Sequence, residues 1–344
     1  MISANKFVPM KVLLVAGKDD FYGDVSKVTG IGRYVREVYK GVKKQIDVDV
    51  YPLFDYSSIF SSFSSVIKGI FHNYSDYDII HLLSSNKPFF PLRKSKAKWI
   101  TTAHDLFFLK YRESKPSPYM QKVYLKSMLN SDALIVGSSL VKEDVEKLGY
   151  KKKIFVVNPG IGEEFFTTPL TRYERHIIIK LGYIGKLDSE RKDLIRGIKA
   201  FKKIKEKNVV LELWGSYNPE SDIFNEIKKV SEEDPRIRIM GPAADEKLVE
   251  IYDSFDALFF PTKEEGFGLP IIEAQARGVP VIVFKDARIP EEVCNYCIRI
   301  NEDFPEISYI KSFKEKYCDL LRKNASKFTW ENSIKDLLSA YNNI

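Results

Sequence analysis

The chain has 344 residues, enough for two domains of ordinary size, and its 44% hydrophobic content supplies two buried cores. That excludes a natively disordered chain, and three cysteines (Cys294, Cys297, Cys318) exclude a disulfide framework. A formal charge of +7, from 54 Lys and Arg against 47 Asp and Glu, is modest for this length; it suits an anionic ligand or membrane surface and does not call for nucleic acid. The lone Cys-Asn-Tyr-Cys run has no second pair to complete a zinc site, and the histidines at 72, 81, 104 and 176 show no i, i+4 pairing, so no metal is expected. The apolar run behind Met10 is too short for a signal-peptide core, and no later run approaches about 18 apolar residues. The expectation is a cytoplasmic protein.

In chain order, Lys11–Gly17 is a continuous apolar run ended by glycine, followed by a helical pattern through Tyr34, Val38 and Val42. Strand-like runs recur at Val48–Pro52, Ile79–Leu83, Trp99–Ala103, Ala133–Val136 and Ile154–Val157, with amphipathic stretches between several of them. A polar bridge, Thr167–Arg175, precedes a second series at Ile177–Ile184, Val209–Trp214, Ile237–Met240, Ala257–Phe260 and Val279–Phe284. Alternating β and α elements predict parallel sheets. The expected fold is therefore α/β with two Rossmann-like domains, residues 1–168 and 176–326. Residues 327–344, with apolar positions at helical spacing after Thr329, form a terminal helix expected to return to the first domain.

The most informative stretch runs from Phe260 to Ile282. Pro270 suits the first turn of a helix, and Gly266 and Gly268 let backbone approach a ligand closely. The loop aims backbone amides and a helix N-terminus at one spot, which favours an anion such as a diphosphate. Glu265 precedes that spot and Glu273 follows eight residues later, a layout open to two readings: carboxylates that grip hydroxyls at opposite ends of an elongated ligand such as a nucleotide-sugar, or a Gly/Pro-rich turn with two surface glutamates.

Here the chain resembles the family 4 glycosyltransferases, the glycosyl transferases of group 1. Their E-x7-E motif stands as Glu265-Gly-Phe-Gly-Leu-Pro-Ile-Ile-Glu273, flanked by Phe-Pro-Thr and Ala-Arg-Gly-Val-Pro-Val. Further landmarks follow in order: Gly30–Tyr34, His104-Asp-Leu106, Ser138, Asn158-Pro-Gly160, Gly185-Lys-Leu-Asp, Arg191-Lys192, Gly241 and Phe328–Glu331. The resemblance implies a GT-B fold, two Rossmann-like domains facing across a cleft, and a retaining enzyme that needs no metal or cofactor. It moves a sugar from a nucleotide-diphosphate-sugar to a hydroxyl of a glycan or lipid-linked acceptor.

The resemblance also implies roles. Glu265 orients the sugar hydroxyls; Gly266, Phe267, Gly268 and Leu269 contribute backbone around sugar and phosphate; Glu273 holds the ribose; and His104 touches the donor sugar. Lys186, where the family usually has arginine, and Lys192 stabilise the departing diphosphate. The lysine at 186 keeps the charge and loses arginine's planar fork. From the residues themselves, Gly30-Ile31-Gly32-Arg33 opens a helix whose amides and guanidinium face phosphate or acceptor. The run is no dinucleotide fingerprint, because it lies about a dozen residues beyond the first strand and lacks the third glycine. Trp214–Ser216 and Ile239-Met240-Gly241 either shelter the base or simply end strands.

Asp47-Val-Asp49 and Asp76-Tyr-Asp78 mimic a metal-binding Asp-x-Asp, yet strand-like runs already account for both. Apolar residues at helical spacing from Ile59 to Phe71, with Lys87, Arg93, Lys94, Lys96, Lys98, Lys110, Arg112, Lys115, Lys122 and Lys126 near them in sequence, raise two readings: a core helix with solvated lysines, or peripheral contact with the inner face of a membrane. Two rival functions remain, a nucleotide-sugar epimerase or hydrolase of the same fold and a non-catalytic sugar-nucleotide binding protein. The first needs an acid/base pair that the sequence does not present.

Overall fold

The computed structural model describes residues 10–23, 30–53, 72–86, 95–111, 117–167 and 178–344. The polar bridge beyond Thr167, the amphipathic stretch from Ile59, Thr29, and Lys87, Arg93, Lys94, Arg112 and Lys115 lie outside the described residues. The chain divides into two compact units: Met1–Leu109 with Lys115–Gly160 and Trp330–Ile344, and Lys110–Ser114 with Ile161–Thr329.

The first unit is built on β1 (Lys11–Gly17), α1 (Lys18–Tyr22), α2 (Gly30–Val42), β2 (Asp47–Leu53), β3 (Ile79–Leu82), β4 (Lys98–Ala103), α3 (Pro118–Asn130), β5 (Ala133–Val136), α4 (Ser139–Lys147) and β6 (Lys153–Val156). Its sheet runs β2-β1-β3-β4-β5-β6, with every pair parallel. The central strands read as unbroken apolar runs; Val12, Leu14 and Val15 are wholly buried, Val12 and Leu14 in a core shared with α2. Seryl oxygens cap two helices, Ser117 taking the Met120 amide at 3.3 Å and Ser138 the Val141 amide at 3.2 Å. Helix α2 buries Tyr34, Val35, Val38 and Val42, one face of a 3.6-residue period.

The second unit carries β7 (Ile179–Ile184), α5 (Leu194–Phe201), β8 (Val209–Trp214), α6 (Asp222–Glu232), β9 (Ile237–Gly241), α7 (Leu248–Asp253), β10 (Ala257–Phe259), α8 (Leu269–Ala276), β11 (Val281–Phe284), α9 (Glu291–Cys294), β12 (Ile298–Ile300) and α10 (Ile307–Ala325). The last helix, α11 (Trp330–Asn342), belongs to the first unit and packs on α2, where Ile334 occupies the space a side chain at Gly41 would need.

Strand order in the second sheet is β12-β11-β10-β7-β8-β9, all parallel. Counted within the unit this is the doubly wound order, and the direction in which successive strands are added across the sheet reverses between β7 and β10. Ligands of such sheets bind beyond the strand C-termini at that switch point. Close packing there demands glycine: a Cβ on Gly215, after β8, would stand 1.7 Å from the Gly185 carbonyl oxygen after β7.

The Asp-x-Asp runs serve the first sheet. Asp78 accepts the Lys11 amide at 2.8 Å, and Asp49 takes the Tyr77 hydroxyl at 2.8 Å and lies 3.3 Å from Lys11 Nζ. Among the described residues, no group of three or more His, Cys, Asp or Glu side chains is placed to hold a metal ion, and no helix is long and apolar enough to cross a membrane.

Candidate functional site

The loop between β10 and α8 is held from two sides. On one, the Lys263 amide donates to the Arg191 carbonyl at 2.9 Å; on the other, Arg288 N donates to Lys263 O at 2.7 Å and Glu265 N to Arg288 O at 2.9 Å. The turn carrying Arg191 and Lys192 follows β7, so the two loops that meet are those of the adjacent strands β7 and β10. The sheet order thus places cations and carboxylate together from positions 73 residues apart.

Glu265 is buried, and three donors converge on its Oε1: Lys192 Nζ at 2.7 Å, Arg191 Nη1 at 2.7 Å and the Thr262 hydroxyl at 2.8 Å. Its Oε2 takes no hydrogen bond among the described residues. Burial, the largest single influence, pushes the carboxyl up; the charges of Lys192 and Arg191, with the hydrogen bonds from Lys192 and Thr262, outweigh it and hold the group below the ordinary carboxylate range. Lys192 is itself buried, its ammonium 4.5 Å from the centre of the Phe260 ring. The result is an ionised carboxylate with one oxygen saturated and the other available.

Gly268 precedes α8 with φ of 103°, a left-handed conformation that glycine tolerates, and Pro270 sits in the first turn. Phe267 turns its ring inward onto Phe328, with 5.5 Å between centroids, so the backbone of Gly266–Leu269 is fixed by core packing. Glu273, in the second turn of α8, is buried and receives the Tyr252 hydroxyl at 2.7 Å. The end of α8 is anchored by Arg277, whose guanidinium grips Asp253 at 2.7 and 2.8 Å and the carbonyls of Phe165 and Thr167 at 3.1 and 2.7 Å.

The two lysines expected to act together differ. Lys192 meets Glu265, whereas the Lys186 side chain is 55% exposed and its Nζ lies 3.5 Å from Asp188 Oδ1. Gly241 ends β9 with φ of 80°, and Met240 beside it is 41% exposed, a large apolar side chain left in solvent at a strand end. Sequence reasoning named Arg191 as a landmark beside Lys192 without giving it a role, and assigned none to Thr262 or Tyr252. Nor did it single out Glu264, which is buried and bound by Lys110 Nζ at 2.6 Å, the Tyr111 hydroxyl at 3.2 Å and Arg288. Lys110, counted in sequence with a basic surface cluster, is thus paired to a buried acid. Consecutive acids invite reading as a solvated pair, and only the fold shows their separate partners.

In the first unit, His104 follows β4 and its Nε2 lies 2.9 Å from the Leu83 carbonyl, with its ring edge-on to Tyr34 at 4.7 Å. Burial lowers its pKa despite the opposing effects of the Leu83 carbonyl, Asp105 and Asp20, so the imidazole is neutral near pH 7. Beneath it lies a fully buried network: His81 Nδ1 meets the Tyr341 hydroxyl at 2.6 Å, and its Nε2 meets Thr102 Oγ1 at 2.8 Å. Burial, reinforced by repulsion from His104, pushes the His81 pKa down to about 3. Gly30, Ile31, Gly32 and Arg33 form the first turn of α2, as their order suggested.

Two family profiles match this chain, "Glycosyltransferase Family 4" over residues 28–165 and "Glycosyl transferases group 1" over residues 179–309. The chain belongs to the family 4, group 1 glycosyltransferases. It is 25% identical over 310 residues to the D-inositol 3-phosphate glycosyltransferase of Corynebacterium urealyticum, covering 78% of this chain and 72% of that one. It is 23% identical over 291 residues to the O-antigen chain mannosyltransferase B of Escherichia coli, covering 78% and 75%. Among solved structures, sucrose-phosphate synthase of Thermosynechococcus elongatus superposes with a TM-score of 0.75 at 17% identity, over 97% of this chain and 98% of that one. The Anabaena protein HepE, solved in complex with UDP and glucose, gives 0.72 at 16% identity over 97% and 100%. The fold of this glycosyltransferase is GT-B, as its sequence implied.

Proposed function

We propose that this glycosyltransferase acts with retention, moving a sugar from a nucleotide-diphosphate-sugar to a hydroxyl of a glycan or lipid-linked acceptor without a metal. The observation that carries the reading is Glu265: a buried carboxylate fixed through Oε1 by Arg191, Lys192 and Thr262, with Oε2 left to accept a hydroxyl at the C-terminal edge of a doubly wound sheet. HepE, which shares the fold, holds UDP and glucose, and that chemistry suits this arrangement.

In this reading Glu265 orients the sugar, the backbone of Gly266, Phe267, Gly268 and Leu269 surrounds sugar and phosphate, and Glu273 takes the ribose. Met240 and Gly241 border the base. Lys192, helped by the solvent-facing Lys186, stabilises the diphosphate as it leaves. The acceptor oxygen bonds to the anomeric carbon as the bond from that carbon to the diphosphate oxygen breaks. The bonding pair departs with the diphosphate, and one of its oxygens takes the acceptor proton. His104 serves as a neutral hydrogen-bonding group to the sugar, and Gly30, Ile31, Gly32 and Arg33 serve phosphate or acceptor.

A thermal-shift screen against nucleoside diphosphates and their sugar conjugates identifies the donor by its selective stabilisation of the native protein. With that donor, nucleoside diphosphate should be released only when acceptor is added, and the product should keep the donor's anomeric configuration. Release without acceptor, or inversion, contradicts the reading.

A further inference from the structure

We propose that Glu264 is a positioning residue, which through its clamp of Lys110, Tyr111 and Arg288 sets the sugar-facing carboxylate of Glu265; the inference rests on the donor reading above. Two consecutive glutamates are buried here, and each has its own partners. Glu265 faces the turn of Arg191 and Lys192, while Glu264 Oε1 receives Lys110 Nζ and Arg288 Nη1 and its Oε2 receives the Tyr111 hydroxyl. The Tyr111 phenol is pushed up to about 12, first by burial and then by the charge of Glu264, and so stays a donor throughout the working range.

Packing alone does not explain this choice of residue. A buried carboxylate is costly unless charges and donors surround it, and an apolar side chain of similar volume fills such a space more cheaply. What an acid provides is a fixed geometry with several donors at once. Arg288 binds the loop three ways: by its amide to Lys263 O, by its carbonyl to Glu265 N, and by its guanidinium to Glu264. Arg191 couples the two acids directly, because the same Nη1 lies 2.7 Å from the Glu264 carbonyl oxygen and 2.7 Å from Glu265 Oε1. A shift of residue 264 therefore moves the nitrogen that holds residue 265. Misplacement of a substrate-orienting group by about 1 Å costs on the order of a hundredfold in rate.

The role predicts a split that lost stability alone does not produce. Glu265 is assigned to the sugar, so loosening it weakens the sugar conjugate and spares the free diphosphate. The test measures affinity for UDP against UDP-glucose, GDP against GDP-mannose, and the corresponding ADP, dTDP and CDP pairs, in the unsubstituted protein and in Glu264→Ala, Glu264→Gln and Lys110→Met. For the pair that binds, Glu264→Ala should lower the preference for conjugate over diphosphate about tenfold or more. Glu264→Gln should act in the same direction and Lys110→Met less strongly. The diphosphate itself should bind no more weakly, since the substitution at 264 removes a negative charge beside an anion site. If Glu264→Ala does not fold, Glu264→Gln and Lys110→Met carry the same measurement. An unchanged preference accompanied only by a lower melting temperature overturns the positioning role and leaves the donor reading standing. Failure of the unsubstituted protein to bind any pair overturns the donor reading and this inference with it.

Discussion

Replacing Lys192 by methionine tests the electrostatic core of the site. Methionine keeps most of the volume and the contact with Phe260 while removing the ammonium. In the native protein two cations, Arg191 and Lys192, face one carboxylate, leaving an excess of one positive charge for a ligand. The substitution cancels that excess. At 2.7 Å the Lys192–Glu265 attraction is about 6 kcal/mol at an effective dielectric near 20, before the cost of dehydrating both groups. In the proposed mechanism this charge stands beside the developing anion, so its loss should lower turnover about 10²–10³-fold. Donor affinity should change less, because backbone groups and Glu273 remain.

The same substitution has a pH consequence whose sign is fixed. Burial pushes the Glu265 carboxyl up and the cations hold it down, so its native pKa lies below the ordinary value of 4.5. The paired carboxylate therefore contributes stability that is present above that ordinary value and is lost as pH falls through the native one. Without Lys192 burial regains weight, the native pKa rises, and the acid limb of activity moves to higher pH. The assay is initial rate at saturating donor from pH 4 to 8. Turnover within threefold of the unsubstituted enzyme, together with an unmoved acid limb, refutes the reasoning.

Further outcomes follow from the geometry. Arg277→Met strips Asp253 of a bidentate partner and two carbonyls of a donor, and should cost about 3–5 kcal/mol, read as a lowered denaturation midpoint. Gly215→Ala drives a Cβ into the Gly185 carbonyl oxygen and should cost about 3 kcal/mol, while an equivalent change at Gly30, where nothing approaches the Cβ position, should not disturb packing. His81, neutral in the native state down to about pH 3 but protonated below its ordinary 6.5 when unfolded, should remove about 2 kcal/mol of stability between pH 7 and 5. Urea midpoints at the two pH values check this, and His81→Asn should flatten the difference. Glu273→Ala should weaken donor binding more than it slows transfer, as measured by donor titration and saturating rates.

Much of the fold was legible because parallel strands buried on both faces must read as apolar runs, as Lys11–Gly17 and Val209–Trp214 do. The strand β12 escaped notice: Ile298-Arg-Ile300 is three residues long and alternates, being the edge of its sheet. Of the candidates, Glu265 and Glu273 stood out by their spacing around glycines and a proline and Lys192 by the family resemblance, and the structure brings Lys192 to Glu265. Lys110, Tyr111 and Arg288 were not, since they lie 154, 153 and 24 residues from Glu264 and carry no local pattern. Local sequence announces a turn or a helix start; it does not announce which remote cation a buried acid will find.

The sheet order explains why the charges are distributed as they are. The turn after β7 carries Arg191 and Lys192, and the loop after β10 carries Glu264 and Glu265. Either loop alone would bury like charges without compensation, which is costly. Because β7 and β10 are hydrogen-bonded neighbours at the point where the winding reverses, each loop supplies what the other lacks. Four cations (Lys110, Arg191, Lys192 and Arg288) meet two carboxylates, and the positive remainder stands at the strand ends. In the proposed reading, a diphosphate arriving there would meet charge already oriented by the protein's own acids, leaving little reorganisation to the reaction itself. The carboxylates hold the cations in place, and in the proposed reading the open oxygen of Glu265 is also the acceptor for a sugar hydroxyl.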